Sequence, residues 1–214
     1  GDATPTVQDL SQFSFCPASY SVNQTFEFSQ GEDEKFINKD DMVLDYACGT
    51  GTLSIEISKF VKEVQAFDIS ENMIDIAINK LDENNKNIFF KKTSLFDERY
   101  QESSFDVIVA INILHLEKDI QKVVQRIYNL LKPDGLFISS TPLKRKKKTL
   151  KEFFLTTTFH LLSKIGLVPY IKVIRDSKLK NLIQNESFRI VETVDLFHGI
   201  YDCFIVAKKR KVNK

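Results

Sequence analysis

Tryptophan is absent from this chain of 214 residues, and glycine (7), proline (5), cysteine (3) and methionine (2) are all scarce. So few Gly and Pro exclude a collagen-like or low-complexity chain. The three cysteines, Cys16, Cys48 and Cys203, are odd in number and widely spaced, which argues against a disulfide framework, a zinc site or a redox dithiol. No window approaches the roughly 18 consecutive apolar residues of a membrane span. Residues 1–14 carry acidic side chains and no apolar core of a signal peptide, so a cytoplasmic protein is expected. Charge of one sign is missing too: 30 Lys and Arg against 29 Asp and Glu leave a net +1, which identifies no partner.

What the chain does have is the balance of an ordinary globular protein, 43% hydrophobic and 28% charged, at a length that suits one domain. Between residues 41 and 141, short β-branched runs alternate with helical periodicity. Strands are expected at 41–46, 63–67, 87–91, 105–111 and 136–140, and helices at 52–61, 71–81 and 118–131. The run FDVIVAI is apolar almost throughout, as a central parallel strand buried on both faces must be. Such alternation predicts a doubly wound α/β fold with right-handed crossovers. After Pro142 the rhythm changes to a helix over 150–165, a short helix over 177–184 and an antiparallel pair, 189–196 and 201–207, joined through His198 and Gly199. Residues 1–40 are expected to form a helical cap over the carboxyl edge of the sheet. Two basic runs, 144–148 and 208–211, have no interleaved aromatic platform and are read as a solvated loop and tail rather than a nucleic-acid surface.

Against this scarcity of glycine, Gly49 and Gly51 stand two apart directly after the first strand. A glycine pair at a strand-to-helix turn marks a positive φ or the close approach of a ligand. The free N–H groups of the next helix face that turn, which favours an anionic or carboxylate-bearing ligand. Asp45 closes the first strand and Asp68 the second, 23 residues on, where an acidic side chain would hold a ribose diol. From the residues alone this is a nucleotide-like cofactor at the carboxyl ends of adjacent strands; a tight turn without a ligand is the competing reading.

The stretch VLDYACGTG (43–51) resembles motif I of the class I S-adenosylmethionine-dependent methyltransferases, and AFDISENMI (66–74), ESSFDVIVAINILHL (102–116) and LLKPDGLFISSTP (130–142) resemble the segments that follow it. The resemblance implies a Rossmann-like methyltransferase fold, a doubly wound and mostly parallel seven-stranded sheet with an antiparallel edge strand. The methyltransferase domain would span 41–214, with a helical acceptor-site insertion around 142–176. It further implies S-adenosylmethionine as cofactor and S-adenosylhomocysteine as product. Asp45 and the turn Ala47, Cys48, Gly49, Thr50, Gly51 would hold the methionine part, and Asp68 the ribose hydroxyls. Ile69 and Met73 would pack on adenine, Ser94 and Leu95 would lie at its amino group, and Ala110 and Ile111 would line the site. Two departures stand out: Ala47 replaces the first glycine, which is tolerable if its φ is negative, and Ser94 replaces the usual Asp.

For acceptor chemistry, His115 is the candidate general base, with helix-start packing as its competing role. Tyr20, His160, His198 and Tyr201 are candidate acceptor contacts. INILHL contains no proline and so lacks the Asn/Asp-Pro-Pro-aromatic motif of amino-methylating relatives, and the acidic pair of the magnesium-dependent branch is missing, so no metal is expected. The resemblance therefore implies the branch that acts on small molecules. An RNA or protein methyltransferase and a non-catalytic cofactor-binding module are the alternatives.

Overall fold

The computed structural model describes residues 36–142, 174–197 and 201–210. Seven strands form one sheet in the order β3-β2-β1-β4-β5-β7-β6. Strand β1 (Met42–Tyr46) leads through α1 (Thr52–Ser58) to β2 (Glu63–Asp68), and α2 (Glu71–Ile78) connects β2 to β3 (Ile88–Lys92). The chain then crosses to the other side of β1 with β4 (Phe105–Ile111), a single 3₁₀ turn (Leu114–Leu116), α3 (Ile120–Leu130) and β5 (Leu131–Pro142). After α4 (Asp176–Asn185), β6 (Phe188–Phe197) and β7 (Tyr201–Lys209) close the sheet. Strands β1 to β5 pair in parallel, while β7 is antiparallel to both β5 and β6. The expected doubly wound, mostly parallel sheet is therefore what forms. Its order reverses between β1 and β4, and in such sheets the crevice at that reversal is where ligands bind.

Two apolar layers cover the faces. One is built from Leu44, Ile108, Phe137 and Ile205 against Val123, Ile127, Leu179 and Ile183 of α3 and α4; the other from Val43, Val64, Val109 and Ile138 against Leu53 and Ile57 of α1. Alternation along each strand sends successive side chains to opposite layers, so the central strands need apolar residues at nearly every position.

Several boundaries move for identifiable reasons. Helix α1 ends at Ser58, short of residue 61, and the Asn87 amide takes up the carbonyls of Ser58 (2.7 Å) and Val61 (3.0 Å) that the shortened helix leaves over. Beyond Ile78 of α2 the chain continues as a tighter turn, with Lys80 N–H donating to Ala77 and Leu81 N–H to Ile78. Ser70 caps α2 as expected, accepting from Met73 N–H. Residues 132–135, between the helix expected to 131 and the strand expected from 136, lie within β5: pairing already begins at Leu131, and Asp134 has φ +65° in the bulge before Leu136.

The second basic run is not a solvated tail over its described part. Lys208 and Lys209 belong to β7, and the Lys209 ammonium donates to the carbonyls of Tyr128 and Leu131 (both 2.7 Å) and lies 4.3 Å from the Tyr128 ring centre. Of the helical cap expected over 1–40, residues 36–40 form bends and a turn, and the rest of it, the helix over 150–165 and the basic run 144–148 lie outside the described residues.

Candidate active site

Between β1 and α1 the chain takes three left-handed residues in five: Ala47 (φ 59°), Gly49 (φ 54°) and Gly51 (φ 73°). Such a conformation costs an L-residue about 1–2 kcal/mol and glycine almost nothing. The condition attached to Ala47 is thus not met: its φ is positive, and the alanine carries strain that the family's glycine would avoid. The two glycines do different work. A Cβ on Gly51 would lie 2.5 Å from the Phe90 ring and 2.8 Å from Ala77 Cβ, so Gly51 lets α1 pack against β3 and α2. A Cβ on Gly49 would meet nothing within 4 Å, and this is the glycine that leaves space over the turn.

Hydrogen bonds fix the turn to the strand beside it. Cys48 N–H donates to the Phe67 carbonyl (3.0 Å), and Gly49 N–H donates to Asp68 Oδ2 (3.1 Å). Asp68 Oδ1 accepts from Ser70 N–H (2.8 Å), so this one carboxylate joins the glycine turn to the start of α2. Each carboxylate oxygen retains acceptor capacity, and Asp68 can still receive a ligand's hydroxyl donors. Beside it Ile69 is 77% exposed and Met73 39% exposed, an unusual display of apolar surface at the carboxyl edge. An open turn, a carboxylate with spare lone pairs and an uncovered apolar shelf suit a nucleoside-bearing ligand.

Asp45 lies deeper, 2% exposed, and accepts from the Ser54 hydroxyl of α1 (2.5 Å). Burial pushes its carboxyl up to about 6, helped by nearby Asp68 and opposed by the Ser54 bond. Burial also pushes the Cys48 thiol well above its usual range, with Asp45 and Asp68 adding to the effect, so it is no nucleophile at neutral pH. The Tyr46 hydroxyl donates to Glu117, tying the end of β1 to the segment after β4.

On the other side of the crevice, His115 sits in the 3₁₀ turn after β4, half-buried, with its Nδ1 buried and unpartnered. Desolvation lowers its pKa, which keeps the imidazole neutral near pH 7 and able to take a proton. Asn112 just before it has φ 56°, and its Oδ1 is likewise buried without a partner.

The structure thus brings Asp45, Ala47, Cys48, Gly49, Thr50, Gly51, Asp68, Ile69, Met73 and His115 to one sheet edge. Ser94 is exposed, whereas Leu95 is buried and belongs to the core. Ala110 is fully buried under α3 and presents no side-chain surface to a ligand; Ile111 is half-buried in the opposite layer. Tyr201 opens β7, while Tyr20, His160 and His198 lie outside the described residues. Sequence reasoning missed Ser54, Glu117, Asn112, Ser139 and Thr141. A signal existed for the last two: a polar SST directly after the apolar run Leu136, Phe137, Ile138. No trio of His, Cys, Asp or Glu that could hold a metal ion occurs among the described residues.

The fold and this edge define a class I, Rossmann-like cofactor-binding protein. A family model, described as a methyltransferase domain, matches residues 37–193. The chain belongs to that family and is an S-adenosylmethionine-dependent methyltransferase. It is 28% identical over 173 residues to the ubiquinone biosynthesis O-methyltransferase of Coxiella burnetii, covering 80% of this chain and 74% of that protein. It is 34% identical over 118 residues to the ribosomal protein L11 methyltransferase of Ruminiclostridium cellulolyticum, covering 54% of this chain and 36% of that protein. The crystal structure of YcgJ from Bacillus superposes with a TM-score of 0.71 at 16% identity, covering 90% of this chain and 99% of that one, a likeness of fold. Among the described residues no helix is long and apolar enough to cross a membrane.

Proposed function

We propose that this methyltransferase acts on a hydroxyl group of a small-molecule acceptor, with His115 as the general base. The observation that carries the reading is the buried, unpartnered Nδ1 of His115, set just past β4 and across the crevice from the glycine turn. Similarity to an O-methyltransferase over 80% of the chain supports the same acceptor chemistry.

Asp68 would hold the ribose hydroxyls, Ile69 and Met73 the adenine, and the Ala47–Gly51 turn with Asp45 the methionine end. When bound, S-adenosylmethionine would supply an electrophilic methyl on a sulfonium sulfur for transfer to the acceptor oxygen, with S-adenosylhomocysteine as the leaving product. The chain's own contribution is position and proton management. His115 accepts the hydroxyl proton at Nδ1, and burial, which lowers its pKa, favours the neutral imidazole that can take that proton. The Tyr46–Glu117 bond holds the segment bearing His115 against the end of β1.

The test is methyl transfer from labelled S-adenosylmethionine to panels of phenols, amines, RNA and protein. Label is expected in a phenolic product, and His115→Gln is expected to lower turnover about 100-fold with S-adenosylhomocysteine affinity unchanged. Label in RNA or protein, or equal turnover of the variant at every pH, would overturn the reading.

A further inference from the structure

Four side-chain polar atoms among the described residues are buried without a hydrogen-bond partner: Asn112 Oδ1, His115 Nδ1, Ser139 Oγ and Thr141 Oγ1. Their backbone positions adjoin in β5 and in the segment that follows β4. In the β4–β5 register Ala110 lies opposite Ser139 and Ile111 opposite Ser140, and Asn112 N–H donates to the Ser140 carbonyl (2.9 Å), which brings Asn112 level with Thr141. Adjacent strands run about 4.8 Å apart. Ser139 and Thr141 share the face of β5 that carries Phe137, on the side of α3 and α4, where Ala110 and Leu114 also pack. Both are fully buried, in a strand whose preceding inward residues are apolar. Going inward from His115 at the carboxyl edge, the positions form a row: Asn112 and Thr141, then Ser139.

A buried hydroxyl or amide without a partner has lost its hydration and gained nothing, and an apolar side chain of similar size would fill the same space at less cost. Four such atoms in one row point to a bound group that completes them. Their chemistry narrows what it is. Asn112 Oδ1 only accepts, so the group must donate; Ser139 and Thr141 can donate or accept. A hydroxyl meets all of these demands, whereas an ether or a carbonyl cannot serve Asn112 Oδ1.

We propose that Asn112, Ser139 and Thr141 form a specificity subsite that binds a second hydroxyl of the acceptor, one that is not methylated, while His115 takes the reacting hydroxyl. This rests on the reading of His115 given above. The enzyme would then select polyhydroxylated acceptors, and a substrate with one hydroxyl would bind without engaging the row.

The experiment uses the full chain saturated with S-adenosylhomocysteine and labelled with ¹⁵N at its three histidines, the His115 resonance being assigned through His115→Asn. Phenol, catechol and resorcinol are the probes; the last two place a second hydroxyl at two different spacings. All three are expected to shift His115 Nδ1, and the better diol to bind about tenfold more tightly than phenol, the gain of roughly one hydrogen bond. Thr141→Val should abolish that tenfold preference, leave phenol affinity unchanged and keep or raise the melting temperature, while Thr141→Ser should retain the preference. If Thr141→Val fails to bind S-adenosylhomocysteine, Ser139→Ala carries the same comparison. Equal affinity for phenol and both diols, or a preference that survives both substitutions, would overturn the subsite while leaving His115 as base, and would assign the row to internal water. No shift of His115 with any probe would overturn the proposed function and the subsite with it.

Discussion

The two halves of the carboxyl edge are built on opposite terms. Around β1 and β2 the polar groups are satisfied within the chain: Ser54 donates to Asp45, Gly49 and Ser70 to Asp68, and Tyr46 to Glu117. Around β4 and β5, four buried polar atoms have no partner. The first half is preorganised, so a ligand meets groups already aimed and immobile, and little ordering cost remains. The second half is incomplete until something else supplies hydrogen bonds. Such a division suits an enzyme whose cofactor type is fixed by its fold and whose acceptor is a matter of particular side chains.

The largest effect that would break the preorganised half is expected from Gly51→Ala. A methyl group there meets Phe90 and Ala77 at 2.5–2.8 Å and sits at φ 73°. Strain and overpacking together should cost about 3 kcal/mol in urea unfolding; an effect below about 1 kcal/mol would mean that the turn is not closely packed.

Next in size is the pH dependence of Asp45. Its folded pKa, about 6, is raised above the ordinary 3.8, so its stability contribution is full below 3.8 and is lost as pH rises through 6. In the cofactor-free protein, unfolding free energy should fall by about 2–3 kcal/mol between pH 4 and 7 relative to Asp45→Asn. Parallel pH profiles for the two proteins would contradict the burial argument. The smallest effect sharpens the same half: Ala47→Gly should relieve the positive-φ strain and, after the entropy that glycine adds to the unfolded chain, raise stability by about 0.5–1 kcal/mol. A loss of stability on that change would show that Ala47 contributes contacts that outweigh its strain.

The strand order and the parallel core were legible because the period of the apolar residues changes with each element, and because FDVIVAI can only be buried on both faces. Asp68 and the glycine turn were legible as a pair from their spacing, which the sheet converts into adjacency. Ala47 was not: whether its φ is positive depends on how the turn is drawn onto Phe67 and Asp68, contacts that no local pattern encodes. Nor could sequence separate the roles of Gly49 and Gly51, since one is set by open space and the other by Phe90, 39 residues away. Ser139 and Thr141 were missed although they follow the apolar run Leu136, Phe137, Ile138, and their missing partners are a property of the assembled core. Lys209 shows the reverse: a basic run that reads as a tail is partly pinned by two carbonyls from α3 and β5.

The most direct test of the account is calorimetric titration of cofactor-free protein with S-adenosylhomocysteine, for the unaltered chain and for Asp68→Ala. We expect saturable binding near one equivalent, weakened about 10- to 100-fold in the variant, as the loss of one or two charge-assisted hydrogen bonds requires. Equal affinity for the two proteins, with both folded, would place the adenosine elsewhere and contradict the assignment of this edge as the cofactor site.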